Sequence, residues 1–272
     1  MRWTDEAEKA VSRVPFFLRK RVRKKVEEEA GREGSSVVTL EHVQACRQRF
    51  LRNMEAEVKG YQIEACFGQS GCPNRAVESD GLLEDLELIL ARRNIPDFLK
   101  ARVTGPLKMH HELRVSVSEC PNACSRPQIV DIGLIGAVRP RVCDVACSGC
   151  GACVDVCKED AIRLSDDEAP PMIHAERCLN CGQCAALCPT GTVVKGAQGY
   201  RFLVGGKLGR HPRLARELGG IYSKEEALKL VERCLDHYFK HNRHGERFGE
   251  ILERTGIEFL SAQDAESPQQ EL

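Results

Sequence analysis

Two runs of four cysteines constrain this 272-residue chain more than any other feature. Both runs have the spacing C-x2-C-x2-C-x3-C, first at Cys147, Cys150, Cys153 and Cys157 and then again at Cys178, Cys181, Cys184 and Cys188. All four positions of the second run are displaced by the same interval, so the stretch is an internal repeat. Three thiolates on one tight loop can reach three corners of a cube-shaped iron–sulfur cluster, so the fourth corner needs a ligand from elsewhere. The second run can supply that ligand to the first, and the first to the second.

This arrangement resembles the two-cluster bacterial ferredoxins, in which the fourth cysteine of each run ligates the other cluster. The expected [4Fe–4S] ligand sets are Cys147, Cys150, Cys153 and Cys188 for one cluster and Cys178, Cys181, Cys184 and Cys157 for the other. Structural zinc is the alternative, but zinc sites usually come as paired C-x2-C knuckles separated by a longer loop. Lys158 stands where the first run would usually carry proline, and this departure involves no ligand.

Charge and hydropathy limit the classes of binding partner and the cellular compartment that are expected for this chain. Lysine plus arginine equals aspartate plus glutamate at 40 each, so no overall positive charge points to nucleic acid or an acidic membrane surface. No apolar run approaches the length of a membrane span, and the first six residues lack the apolar region of a signal peptide. Most of the fifteen cysteines stand at metal-ligand spacing, which favours reduced thiols and a cytoplasmic location.

Residues 1–58 are predicted to form a small helical module. Thr4 can cap a first helix, Pro15 can begin a second, and Thr39 can cap a third. The basic residues between Arg19 and Lys25 could dock an acidic partner, although a solvated helix face is the simpler interpretation. The module resembles the small C-terminal domain of a light-independent protochlorophyllide reductase subunit, on Trp3, Val14–Arg19 and Val38–Glu41. That resemblance implies a docking or fold-support role near iron–sulfur chemistry.

Four further cysteines have a different spacing. Cys66 and Cys72 form C-x5-C, and Cys120 and Cys124 form C-x3-C. Between the pairs, Asp80 is placed to cap a leucine-rich helix, and residues 113–117 alternate as a strand that leads into Cys120. Two loops brought together in this way can offer four thiolates to one cluster. The spacing alone also suits zinc.

The sequence around these cysteines resembles the sulfite and nitrite reductases. The matching segments are Ala65–Asn74, Cys120–Cys124, Asp131–Gly136, Gly205–Arg213 and Gly245–Gly249. The resemblance spans about residues 60–138 and 198–256. It implies that Cys66, Cys72, Cys120 and Cys124 hold a [4Fe–4S] cluster and that Cys124 also ligates the iron of siroheme. The expected cofactors are therefore three [4Fe–4S] clusters and one siroheme.

Siroheme carries many carboxylates, so its site needs cations and backbone N–H donors. Gly205 and Gly206 allow close backbone approach, and Lys207, Arg210 and Arg213 can meet carboxylates. A basic surface loop is the alternative for the three cations. We favour the cofactor role, because the glycines and the cations occur together in one short segment, as an anion-binding site requires.

The resemblance implies a six-electron reduction of sulfite to sulfide. Electrons would pass from an external low-potential donor through the two ferredoxin clusters to the third cluster and the siroheme. Nitrite reduction to ammonia is the alternative reaction, and a non-catalytic electron-transfer subunit is the alternative class.

A substrate oxyanion needs positive charge and proton donors at its binding site. The candidates are Lys100, Arg102, Lys108, His110, His111 and Arg114. We favour Lys108 and Arg114, with strand-edge solubility as the alternative. Enzymes of this family commonly use two related halves around one siroheme. A second copy or subunit, or the N-terminal module, is therefore expected to complete the pocket.

The predicted fold is α+β: a siroheme reductase half-domain with an inserted bacterial-type ferredoxin domain and a small N-terminal helical module. The predicted domains are residues 1–58, the helical module; 59–140 and 198–260, the reductase half-domain; 141–197, the ferredoxin insert; and 261–272, a flexible tail. Strands at 129–138 and 200–204 should flank the insert. Ser223 and Glu226 should form a capping box. Cys46 and Cys234 are predicted core thiols, and Cys143 has no obvious partner.

Overall fold

The computed structural model describes residues 1–14, 16–164 and 170–260. The predicted tail at 261–272 and the helix start at Pro15 lie outside the described residues. The chain divides into two compact units, one of Met1–Lys59 with Val103–His110, the other of Gly60–Arg102 with the chain from His111 onward. The reductase and ferredoxin stretches therefore fall largely in one unit, and the finer domain boundaries remain a prediction.

The first unit is mainly helical. Its elements are β1 (Arg2–Trp3), α1 (Asp5–Ser12), α2 (Phe16–Arg32), β2 (Val37–Val38) and α3 (Leu40–Glu57). Thr4 caps α1 as predicted, since its hydroxyl accepts a hydrogen bond from the N–H of Ala7. Val26, Ala30 and Val38 are buried in the core of this unit. Cys46 packs against that core, as expected of a core thiol.

The second unit combines a sheet with helices, which confirms the α+β class. Its elements are β3 (Tyr61–Ala65), α4 (Leu82–Arg92), α5 (Ile95–Lys100), β4 (Leu113–Ser118), β5 (Ile132–Val142), α6 (Ala152–Asp155), β6 (Ile162–Arg163), β7 (Met172–Ile173), α7 (Gln183–Leu187), β8 (Val193–Val204), β9 (Arg216–Glu217), α8 (Lys224–His241) and α9 (Phe248–Thr255). The strand order of the main sheet is β3-β4-β5-β8-β9. The first three strands are parallel, and β8 is antiparallel to both of its neighbours.

Two helix starts test the predicted caps. The capping box of α8 is present, with Ser223 and Glu226 each bonding the backbone of the other. The predicted cap at Asp80 is wrong. Gly81, with a left-handed φ of 69°, is the N-cap residue of α4 and makes no side-chain bond.

Among the described residues, no helix is both long and apolar enough to cross a membrane.

Strand β5 begins three residues later and ends four residues later than predicted, and β8 begins seven residues earlier than predicted. The two strands form an antiparallel ladder from Ile132↔Val204 to Val142↔Val193, with a register shift between Val138 and Pro140. The ferredoxin stretch connects their far ends. In the small sheet of that stretch, β6 and β7 pair at Ile162↔Ile173. The interval that separates the two cysteine runs also relates Ile162 to Val193 and Val142 to Ile173, so the internal repeat includes the tips of β5 and β8. The ferredoxin fold and the reductase sheet therefore share two strands.

Candidate functional site

The pair of loops with C-x5-C and C-x3-C spacing meets at one edge of the sheet. Cys66 follows β3 and Cys120 comes shortly after β4, and these parallel neighbours end side by side, with Ala65 paired to Val117. Burial raises the pKa of Cys120, and interactions with Cys124, Cys66 and Cys72 raise it further. The four thiols are therefore near enough to interact electrostatically.

The exposure of these cysteines differs in a way that bears on cofactor binding. Cys120 is only 7% exposed, whereas Cys124 is exposed. Ala123, between them, has a left-handed φ of 51°, which turns the chain outward before Cys124. The N–H groups of Gly68 and Glu119 donate to the Sγ atom of Cys66, at 3.4 and 3.3 Å. Such N–H to sulfur bonds are a feature by which proteins tune iron–sulfur clusters.

The ferredoxin stretch has two cavities, and each is lined by a mixed set of cysteines. One cavity has the set Cys157, Cys178, Cys181 and Cys184, and the other has Cys147, Cys150, Cys153 and Cys188. We name the first set the inner set and the second the outer set. Each combines three cysteines of one run with the last cysteine of the other, which is the arrangement that the predicted exchange requires.

The electrostatic interactions between the thiols follow the same two sets. Burial raises the pKa of Cys184 to about 12, and Cys181, Cys178 and Cys157 contribute in the same direction. Burial also raises the pKa of Cys153, with contributions from Cys147 and Cys188. Each thiol thus interacts with members of its own set. Metal ligation by these residues remains a prediction.

The internal repeat extends to the hydrogen bonds on sulfur. The N–H of Gly149 donates to Cys147 Sγ, and at the equivalent place in the second run the N–H of Asn180 donates to Cys178 Sγ, both at 3.4 Å. Gly149 and Asn180 both have left-handed φ values, 68° and 59°. Within the described parts of the chain, no three Cys, His, Asp or Glu side chains converge as the ligands of one metal ion would. Sets of cysteines that accept N–H hydrogen bonds suit an iron–sulfur cluster better than a single ion, because a cluster binds each thiolate at a separate corner.

The inner set adjoins the Cys120 loop. Its cavity, about 90 Å³ in volume, is also lined by Cys120, Pro121 and Asn122. The contact is possible because β4 stops at Ser118, which leaves the next part of the β5 edge to the second cysteine run. There the N–H of Val138 donates to the carbonyl oxygen of Asn180 at 2.7 Å.

A side-chain hydrogen bond adds to this contact. The amide of Gln183 donates to the Oδ1 atom of Asn74 at 3.2 Å, which links α7 to the loop after Cys72. The inner set is thus held against both loops that carry the C-x5-C and C-x3-C cysteines.

The two glycines predicted to approach siroheme have packing roles in the structure. A Cβ atom on Gly206 would lie 2.6 Å from the carbonyl oxygen of Gln128. One on Gly205 would lie 3.0 Å from Leu252 Cδ1 and would face a left-handed φ of 81°. Both positions therefore need glycine for reasons internal to the chain.

Two of the three predicted siroheme cations already meet carboxylates. Lys207 is buried, and its Nζ lies 2.5 Å from Glu250 Oε1. Arg213 pairs with Glu253 and also donates to a backbone carbonyl on α9. Arg210 is exposed. The siroheme role of Gly205, Gly206, Lys207, Arg210 and Arg213 remains a prediction.

The substrate candidates are distributed over both units. Lys108 is exposed in the first unit, and Arg114 lies on β4 in the second. The Nε atom of Arg114 is buried and has no hydrogen-bond partner among the described residues. By contrast, Lys100 pairs with Asp97, and Arg102 lies over the ring of Phe98. Arg114 is therefore the candidate with an unused buried donor.

Sequence analysis did not identify Glu119 or the partners of Cys143. Glu119 is a buried carboxylate directly before Cys120. Cys143 donates through its Sγ to the carbonyl oxygens of Gly191 and Thr192, at 3.1 and 3.4 Å. A charged residue directly before a predicted ligand cysteine was the only available signal for Glu119. The pairing of β5 with β8 brings the partners of Cys143 from a distant part of the sequence, so no local signal existed.

Comparison with known proteins supports the resemblances to the sulfite and nitrite reductases and to the protochlorophyllide reductase subunit. Residues 61–270 match the family described as "Nitrite and sulphite reductase 4Fe-4S domain". Residues 3–47 match the family described as "Proto-chlorophyllide reductase 57 kD subunit". The second match confirms the resemblance of the N-terminal module.

Individual relatives support the resemblance to the sulfite and nitrite reductases. The chain is 33% identical over 187 residues to the coenzyme F420-dependent sulfite reductase of Methanocaldococcus jannaschii, covering 68% of this chain and 28% of that protein. It is 28% identical over 138 residues to one subunit of the anaerobic sulfite reductase of Salmonella typhimurium, covering 45% and 36%. The crystal structure of dissimilatory sulfite reductase I has a similar fold, with a TM-score of 0.52 at 16% identity, covering 77% of this chain and 54% of that one.

The chain spans only about a third of the length of these two sequence relatives, so their activities describe larger proteins. The family match, however, covers most of the chain, including all twelve cysteines of the three sets. The chain therefore belongs to the nitrite and sulphite reductase 4Fe-4S domain family.

Proposed function

We propose that this chain is the cofactor-binding half of a sulfite reductase that reduces sulfite to sulfide with six electrons. The observation that carries the proposal is the meeting of Cys66, Cys72, Cys120 and Cys124 at one sheet edge, directly beside the cavity of the inner set. The relatives named as sulfite reductases favour sulfite over nitrite as the substrate.

In this proposal the three cysteine sets hold three [4Fe–4S] clusters, and Cys124 also ligates siroheme. When bound, these groups supply one-electron storage and a haem iron at which an oxyanion can be reduced. The exposure of Cys124 supports its double role, because a bridging thiolate must be reachable from outside its own set. Cys120, which is buried, lacks that access.

The shared strands support an order of the sites. The inner set adjoins the Cys120 loop, so the outer set is the one available to an external donor. Because β5 and β8 continue without a linker into the ferredoxin fold, the chain holds the inner set at a fixed place. A tethered module of this kind needs no binding step for each electron.

Arg114 is the proposed anion-binding residue of the second unit, and Lys108, in the first unit, is a separate candidate. A buried guanidinium N–H without a partner is costly, and an oxyanion substrate would satisfy it. Lys207 and Arg213 already pair with carboxylates of α9. We therefore infer that a second copy or subunit supplies part of the positive charge around siroheme and substrate.

The proposal is tested by anaerobic reconstitution with iron, sulfide and siroheme. We expect about 13 iron atoms per chain, twelve in clusters and one in siroheme, together with a Soret band. Reduced methyl viologen should then support sulfide formation from sulfite, with nitrite assayed in parallel. About eight iron atoms and no Soret band would contradict the reductase assignment. A full cofactor content without turnover would instead indicate an electron-transfer subunit.

A further inference from the structure

Glu119 stands between the end of β4 and Cys120 and is only 3% exposed. Its Oε1 accepts hydrogen bonds from the N–H of Ser79, at 3.1 Å, and from the Ser79 hydroxyl. Its Oε2 lies 3.5 Å from the Nε of Arg75, at ion-pair distance. That oxygen is buried and accepts no hydrogen bond from the described residues. A carboxylate is thus enclosed beside a ligand cysteine.

The backbone of Glu119 contacts the same neighbouring loop. Its N–H donates to Cys66 Sγ at 3.3 Å. Its carbonyl oxygen accepts from the N–H groups of Ala76 and Val77, at 2.9 and 3.2 Å. Both its side chain and its main chain therefore bind the segment from Cys66 to Ser79, which carries the other cysteine pair.

Gly68 shows how closely the carboxylate approaches the ligand loop. A Cβ atom at Gly68 would lie 1.8 Å from Glu119 Oε2. The φ of Gly68 is not in the left-handed region, so backbone strain does not explain the glycine. A side chain at Gly68 would therefore have to displace the Glu119 carboxylate from its present position.

We propose that Glu119 is a positioning residue that joins the two cysteine loops of the third site. The inference rests on the proposed cluster at Cys66, Cys72, Cys120 and Cys124. The two cysteine pairs are far apart in sequence, and Glu119 fixes one against the other through five hydrogen bonds. Its negative charge also lies in a buried environment, where it opposes the addition of an electron to the neighbouring cluster. It therefore lowers the reduction potential of that cluster.

The first experiment compares Glu119→Ala with Glu78→Ala in the reconstituted chain. Glu78 is the matched control, because its carboxylate pairs with the same Arg75 but is 69% exposed. The readouts are iron content and mass-spectrometric mapping of alkylated cysteines in the folded protein. Glu119→Ala should lose about four iron atoms and expose the four cysteines of the third site, while the inner and outer sets stay protected. Glu78→Ala should match the unmodified chain.

The second experiment uses Glu119→Gln, which keeps the shape and one acceptor but removes the charge. This variant should keep its iron and raise the midpoint potential of the third cluster, a shift that a purely structural role would not produce.

Gly68→Ala should expose the same four cysteines and provides a second test if Glu119→Ala does not fold. Full protection in Glu119→Ala, or an unchanged potential in Glu119→Gln, would overturn the inference. If the four cysteines are alkylated in the unmodified chain, the proposed third cluster itself is wrong.

Discussion

At the scale of single residues, Cys124 has the most demanding proposed role. Serine cannot replace a thiolate shared between a cluster and siroheme, because its hydroxyl is a poor ligand for such iron. Cys124→Ser should therefore change the haem absorption and abolish sulfite reduction, while the ferredoxin clusters persist. Cys66→Ser should mainly impair the third cluster. Absorption and electron paramagnetic resonance spectra distinguish the two variants. A normal haem spectrum in Cys124→Ser would contradict the proposed double role of Cys124.

Asp131, which is fully buried, tests an ion pair outside the cysteine sets. Its carboxylate lies 2.6 Å from the Nη2 of Arg247 and accepts from the N–H of Arg114 at 2.9 Å. Asp131→Ala would leave a mostly buried guanidinium unpaired and should destabilise the fold by about 3–5 kcal/mol. Glu217→Ala is the control, because it breaks the more exposed pair with Arg201 and should cost about 0–1 kcal/mol. Denaturant unfolding measures both, and equal costs would contradict this assignment.

At the scale of elements, the contact between α7 and β5 can be tested with two equivalent glycines. Gly182 and Gly151 precede α7 and α6, occupy the same position of the internal repeat, and have left-handed φ values of 71° and 76°. A Cβ at Gly182 would lie 2.7 Å from Val138 Cβ, whereas none of the described atoms lies within 4 Å of one at Gly151.

Both alanine variants should suffer similar backbone strain, but only Gly182→Ala should displace the inner set from the sheet edge. Gly182→Ala should therefore slow electron transfer from the ferredoxin clusters to the siroheme well beyond any effect of Gly151→Ala. Rapid-mixing absorption spectroscopy measures that rate. Equal slowing in both variants would show that strain, not docking, is responsible.

The packing of α8 predicts a pH dependence. Burial, together with the nearby His241 and two cations, lowers the pKa of His237 to about 4. Its ring stacks on Phe259 at 3.9 Å. Since the unfolded chain protonates near its ordinary pKa of 6.5, it binds the proton more readily than the folded chain. Stability should thus fall as the pH drops from about 6.5 to 4 and then level off. In His237→Gln this decline should be smaller; an identical profile would refute the assignment.

At the scale of the whole molecule, the proposed sites should be separable although they share strands. Cys181→Ser removes a proposed cluster ligand of the inner set, while the proposed siroheme ligand Cys124 lies outside the insert. This variant should lose most donor-driven turnover yet keep most of its siroheme absorption. Anaerobic spectra and a methyl viologen assay provide the measurement. Loss of siroheme from folded Cys181→Ser would mean that the insert supports the haem site directly.

The sequence by itself determined the family of this protein and several local features. Thiol spacing predicted the two ferredoxin-type cysteine sets, because ligand geometry requires thiols at fixed intervals along a loop. The third set was implied by the resemblance to the sulfite and nitrite reductases. The caps at Thr4 and Ser223 and the strand at residues 113–117 were also predicted correctly, since each depends on a few adjacent residues. The family resemblance, later confirmed by comparison, rested on similarly local motifs.

Only the tertiary structure decided how distant segments meet. The lengths of β5 and β8 depend on pairing between strands on opposite sides of the ferredoxin stretch, so no local pattern limited them. The carboxylates that Lys207 and Arg213 contact come from α9, which lies much further along the chain. The enclosure of Glu119 depends on the loop after β3. Charge and spacing are properties of the sequence, but burial and pairing require the folded chain, because they depend on which surfaces exclude water together.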